Sequence, residues 1–190
     1  MGAIRIFATA AACVWGLDQA TKALAVATLD PAHSITLVPH VFWLTLTRNS
    51  GAAFSAGAEM TVMLSVIAII VVVTVIRMAR RLQDRGWGLG LGLLLGGALG
   101  NLTDRILRAP SPFRGEVVDF LHLTHWPVFN IADIGLTAAA AVILHRGFKG
   151  ASMDGSGDDG ADGGDEVAGE ARAELHHCLR GHSPALAGVH

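Results

Sequence analysis

The run MTVMLSVIAIIVVVTVI, residues 60–76, contains no charged side chain. A hydrocarbon core takes about 20 apolar residues to cross and accepts as few as about 17. Three further segments approach that length: about Ile6 to Leu29, Trp87 to Leu107 and Val128 to Leu144. Backbone polar groups must be satisfied internally in lipid, so such segments are helices. The chain is 52% hydrophobic and 16% charged, with a mean hydropathy of +0.48, outside the range of ordinary soluble domains. The reading is an α-helical membrane protein with four transmembrane helices and a small β-containing extracytoplasmic region.

Charge divides the chain. Residues 1–149 hold 12 Lys and Arg against 8 Asp and Glu; residues 150–190 hold 2 against 8. The first part reads as the membrane domain, the second as an acidic, Gly-rich, disordered tail. RMARRLQDRG (77–86), HRGFKG (145–150) and Arg5 fall on one side of a four-span protein. The positive-inside rule makes that side cytoplasmic, with both termini there. The loops at 30–59 and 108–127 then face outward. Within the first of them, SITLVPHVFWLTLTRN (34–49) alternates and is rich in β-branched and aromatic residues, predicting a short strand or hairpin near the membrane surface.

Several tempting motifs carry little. AAAC (10–13) resembles a cleavage site before a lipid-modified Cys, but too few residues precede it for a signal peptide, and the apolar pattern continues beyond it. Cys13 and Cys178 are not expected to pair. His176, His177 and Cys178 lack a second half of a metal site, so neither a metal nor another cofactor is expected. Gly155–Asp158 fits a GxGD pattern but has no apolar helix around it, and Asn101–Thr103 fits a glycosylation acceptor at a membrane boundary. Gly92, Gly96 and Gly100 recur every four residues, a helix-packing seam rather than a nucleotide fingerprint. No nucleic-acid partner is expected.

The informative residues are polar ones within or beside apolar segments, because each costs several kcal/mol unless paired (roughly 2.5 to 3.5 at the least). Asp18 and Lys22 stand four apart on one helical face; they can pair, either snorkelling outward or shaping a site. Asn101, Asp104 and Arg105 lie at the outer end of the third span, with Asp104 and Arg105 pointing in different directions. Asp119 sits in the strand-like GEVVDFLHL (115–123), and Asp133 opens the fourth span. Asn130, three residues earlier, shares a helical face with Asp133 and can orient it. Two close carboxylates cannot both ionise, so such a pair can supply a base and an acid without a metal. An ion path and a structural role remain open on these residues alone.

Taken in order, DQATK, RNSGAAFS, GGALGNLTDR, VVDF and FNIAD resemble the bacterial lipoprotein signal peptidase family, also called signal peptidase II, over roughly residues 5–148. The resemblance implies an aspartyl endopeptidase of the bacterial cytoplasmic (inner) membrane. It would cut a diacylglyceryl-modified prolipoprotein just before the lipidated cysteine, with its site on the outer face. It implies Asp119 and Asp133 as the catalytic pair. Asn49, Gly51, Asn101, Asp104, Arg105 and Asn130 become substrate-site or supporting residues, and Asp18 and Lys22 match the remaining motif. It further implies membrane lipids as partners, action as a monomer, and globomycin, a cyclic peptide, as an inhibitor. Two rivals from other classes are a proton-coupled transporter using Asp18, Asp104 and Asp133 as a relay, and an assembly subunit acting through its tail.

Overall fold

The computed structural model describes residues 2–51, 57–110 and 112–154. The AAF of NSGAAF and nearly all of the acidic tail, with its His176–Cys178 cluster and Gly155–Asp158, lie outside the described residues. The elements run α1 (Ala3–Thr28), β1 (Ile35–Val38), β2 (Phe42–Asn49), α2 (Gly57–Ala79), α3 (Arg85–Leu107), β3 (Val117–Leu123) and α4 (Ile131–Phe148).

Burial is inverted relative to a water-soluble protein. Asp18 and Lys22 are fully buried and Asp104 is 1% exposed, whereas Leu24 is 62% and Ile70 59% exposed. Apolar side chains such as Met63, Val66 and Ile67 on α2 face outward, and surfaces of that kind mark contact with lipid or protein. Two helical stretches, Met60–Ala79 and Ile131–Phe148, are apolar enough by length and composition to cross a membrane. Helices α1 and α3 have the length, 26 and 23 residues, but the ions they bury and the glycines of α3 lower their hydropathy.

Those glycines form a seam against neighbouring helices. A Cβ at Gly96 would stand 2.7 Å from the Ala11 carbonyl oxygen, and one at Gly100 would stand 2.6 Å from Asp18 Oδ2. Any larger residue at Gly100 would drive α1 off α3 at the level of the buried charges. Close approach of this kind is what small residues permit in membrane bundles.

The three strands make one antiparallel sheet in the order β1-β2-β3. Leu46, Val118 and Phe120 from the sheet pack with Ala25 and Leu29 at the end of α1, which fixes the sheet on that end of the bundle. At the opposite end Asp84 caps α3 by accepting from Trp87 N at 2.7 Å and pairs with Arg146 at 2.6 Å. Trp87 Nε1 donates to the Ala151 carbonyl at 2.7 Å.

Two expectations change. The fourth helix starts at Ile131 rather than Val128, because Phe129 is drawn into an antiparallel bridge with Leu121 of β3 and Asn130 becomes the N-cap. Asp18 and Lys22 do not snorkel. They are interior, since partners on other elements replace the water they would otherwise seek.

Candidate active site

Asp119 lies near the middle of β3, opposite Thr47 of β2, and is 3% exposed. The chain then turns through residues 124–128 and returns. Phe129 accepts from Phe120 N and Leu121 N at 3.1 and 2.9 Å and donates to the Leu121 carbonyl at 2.9 Å. That short return places Asn130 beside Asp119.

Asn130 is extended (φ −135°, ψ −177°) and caps α4. Its Oδ1 accepts from Asp133 N at 3.1 Å, while Asp133 Oδ2 accepts from Asn130 N at 3.1 Å. This reciprocal capping box satisfies two donors that a helix start leaves open. Asn130 thus orients Asp133 from the cap, not from a shared helical face. The positive end of the helix dipole also favours a carboxylate there.

The remaining carboxylate oxygens also accept from amides. Asp119 Oδ1 accepts from Asn130 Nδ2 at 2.6 Å and Oδ2 from Asn49 Nδ2 at 2.9 Å. Asp133 Oδ1 accepts from Asn101 Nδ2 at 2.9 Å. Asn49 is steadied in turn by Gly51, whose N donates to Asn49 Oδ1 at 2.8 Å. Gly51 has φ +87°, a conformation that a residue bearing a Cβ adopts only with strain. Burial pushes the Asp119 carboxyl up to about 6, and the Asp133 charge adds to the rise, against the lowering effect of the Asn49 and Asn130 donors and of Lys22.

A second cluster lies deeper. Lys22 Nζ contacts Asp18 Oδ2 at 2.7 Å and Asp104 Oδ2 at 2.8 Å, and donates to Asn101 Oδ1 at 3.0 Å. Asp18 Oδ1 also accepts from Ala132 N at 2.9 Å, in the first turn of α4. Asp104 additionally accepts from Arg108 Nε at 2.6 Å and Val118 N at 3.2 Å. Arg105 is 8% exposed; its Nη1 is buried with no hydrogen-bond partner among the described residues, within the fields of Asp119, Asp104 and Asp133.

Two cavities meet the carboxylates from different sides. One of about 240 Å³ is lined by Asp119 with Thr47, Arg48, Asn49, Pro127 and Val128. The other, about 410 Å³ and largely apolar, runs along α4 from Asp133 past Ile134 and Ala138, under Trp126 and Phe129.

Some participants escaped the sequence reading. Arg108 is four residues from Asp104, a spacing that was available as a signal. Gln19, which donates to Asp18 Oδ2 at 3.0 Å and to the Gly100 carbonyl at 3.1 Å, lies inside the DQATK string. Thr61 and Ser65 are buried polar residues at helical spacing in the most apolar segment; Ser65 Oγ donates to the Phe113 carbonyl at 2.8 Å. Nothing local announced the wall formed by Pro127, Val128 and Phe129.

A bundle that buries ions and exposes apolar side chains, with two amide-held carboxylates at the foot of a small sheet, has the build of a membrane aspartic peptidase. A family model described as signal peptidase (SPase) II matches residues 10–149. A lipoprotein signal peptidase of Mycobacterium leprae is 44% identical over 151 residues, covering 80% of this chain and 75% of the relative. One of Mycobacterium avium is 45% identical, covering 80% and 83%. A solved bacterial membrane enzyme, determined in meso at 1.9 Å, superposes with a TM-score of 0.69 at 31% identity, over 77% of this chain and 94% of its own. The chain belongs to the signal peptidase II family.

Proposed function

We propose that this enzyme removes the signal peptide from prolipoproteins by aspartyl catalysis, with Asp119 and Asp133 as the catalytic pair. The observation that carries the assignment is the donor set. Every oxygen of both carboxylates accepts from an uncharged amide N–H. Among the described hydrogen bonds, neither carboxylate is paired directly with a cation.

One carboxyl of the pair holds a proton and the other is ionised. The ionised oxygen takes a proton from water as the water oxygen attacks the scissile carbonyl carbon. The protonated partner donates to the carbonyl oxygen, giving a neutral tetrahedral intermediate. Proton return through the pair then protonates the leaving nitrogen as the C–N bond breaks. Arg105, whose Nη1 has no hydrogen-bond partner among the described residues, lies within the fields of both carboxylates.

The finer reading follows the two cavities. The peptide lies in the cleft beside β2, and the diacylglyceryl group of the lipobox cysteine lies in the apolar groove along α4, which places the cut just before that cysteine. Four helices cross the bacterial cytoplasmic membrane, both termini are cytoplasmic and the site faces outward. The enzyme acts as a monomer among membrane lipids, and globomycin competes for the cleft. This reading puts the peptidase in residues 1–149 and assigns no catalytic part to the acidic tail that follows.

The test is a gel-shift cleavage assay in nanodiscs on a diacylglyceryl-modified prolipoprotein, with the unmodified precursor as control. Asp119→Asn and Asp133→Asn are each expected to lose activity by roughly 10³-fold or more while staying folded. A folded Asp variant cutting at the wild-type rate would remove that residue from the mechanism.

A further inference from the structure

Lys22 touches neither member of the pair, yet one amide separates it from Asp133. Its ammonium donates to Asn101 Oδ1, and Asn101 Nδ2 donates to Asp133 Oδ1. We infer that Lys22 is a positioning residue whose ammonium sets the direction of the Asn101 amide, so that Asn101 donates to Asp133 without touching substrate. The inference rests on the reading of Asp119 and Asp133 as the catalytic pair.

Hydrogen-bond polarity fixes which way the amide points. A primary amide has an acceptor end and a donor end, and an ammonium is donor-only. Turned about, Asn101 would aim an NH₂ at the Lys22 ammonium and a carbonyl oxygen at the Asp133 carboxylate. Both contacts would be repulsive in a partly buried site, where water screens them incompletely. With Asn101 Oδ1 fixed toward Lys22, Asn130 meets it with a donor at 3.1 Å. The second N–H of Asn130 Nδ2 goes to Asp119, and Asn130 Oδ1 accepts from Asp133 N. All three groups of the Asn130 side chain are then committed. One buried cation therefore orders two amides, and through them both carboxylates.

The arrangement also explains why an amide is interposed. A lysine in direct contact would commit a carboxylate to an ion pair, as Lys22 does with Asp18 and Asp104. Passed through Asn101, the same cation supplies orientation and leaves the proton of the pair free to move.

Lys22→Met alone would strand Asp18 in the interior, so the test uses the charge-neutral double variant Lys22→Met/Asp18→Asn. Asp104 keeps Arg108 as its partner in that variant. The double variant and Asn101→Leu are made separately and together in the full chain in nanodiscs, and assayed on diacylglyceryl-modified prolipoprotein. Asn101→Leu is expected to lower kcat by roughly 100-fold with KM within about threefold. The double variant is expected to lower kcat by roughly tenfold or more on the wild-type background, and by less than about threefold further once Asn101 is Leu. Asn101→Leu with kcat within threefold of wild type, a loss carried by KM, losses that multiply, or a double variant that fails to fold would each overturn the inference. Asp119→Asn and Asp133→Asn are run alongside. If those two still cut, the reading of the catalytic pair fails, a result separable from the four above.

Discussion

Two pairs of aspartates, all buried but Asp133, lie within one molecule and are treated in opposite ways. Asp18 and Asp104 each contact the Lys22 ammonium within 2.8 Å, and Asp104 also holds Arg108. Asp119 and Asp133 accept only from amides among their described hydrogen bonds. A carboxylate in direct contact with a buried cation is committed to an ion pair and serves as framework. A buried carboxylate held by neutral donors keeps its place while remaining able to take up a proton, and that combination is what acid–base chemistry asks for. Residue type is the same in the two clusters, and Asp119 is as buried as the framework pair while Asp133 is half-buried; the charge of the donor separates them.

The most direct way to break this contrast is to give the second cluster a cation. Asn49→Lys would replace the neutral donor of Asp119 Oδ2 with an ammonium and hold the carboxyl ionised. Cleavage is expected to fall by roughly 10³-fold with folding retained, read as kcat on the lipidated substrate against melting temperature. Wild-type turnover in that variant would show that donor charge is immaterial.

A smaller effect of another kind is expected in the first cluster. Asp18→Ala removes one counter-ion of Lys22 and the acceptor of Ala132 N. It should reduce stability by about 3 kcal/mol, measured by chemical or thermal unfolding in detergent. Activity per folded molecule should stay within about threefold. A large specific loss with unchanged stability would move Asp18 from framework to chemistry.

The smallest effect sharpens the comparison through pH. Burial raises the Asp119 carboxyl to about 6, against 3.8 for an unperturbed aspartate. The folded form therefore binds more protons than the unfolded between those values, and this group's contribution to stability declines as pH rises from about 4 to 6. Asp119→Asn should flatten that decline in unfolding measured across the window. In activity, the alkaline limb of kcat/KM follows loss of the pair's remaining proton. Asn49→Ala removes a donor that lowers the Asp119 value, so the limb should move to higher pH. A limb that moves to lower pH would contradict the assigned role of Asn49.

Much was legible in the chain because the signals are local. The charge-free run from Met60 follows from hydrocarbon thickness alone, and the alternation of residues 34–49 became the β1–β2 hairpin. Asp119 and Asp133 stood out because carboxylates beside apolar segments call for a reason. The start of α4 did not: Val128 and Phe129 are as apolar as the helix that follows. Only the pairing of Phe129 with Leu121 of β3, which no local pattern encodes, holds this stretch out of it.

The sequence by itself determined the apolar helices, the family and the identity of the polar residues that needed partners, since periodicity, length and motif order are properties of neighbouring residues. The tertiary structure alone decided who those partners are. Asn49 reaches Asp119 across 70 positions, Lys22 reaches Asn101 across 79, and Asp18 reaches Ala132 across 114. Hydrogen bonds act over about 3 Å, and only the folded bundle, closed along its glycine seam, brings such distant positions that near.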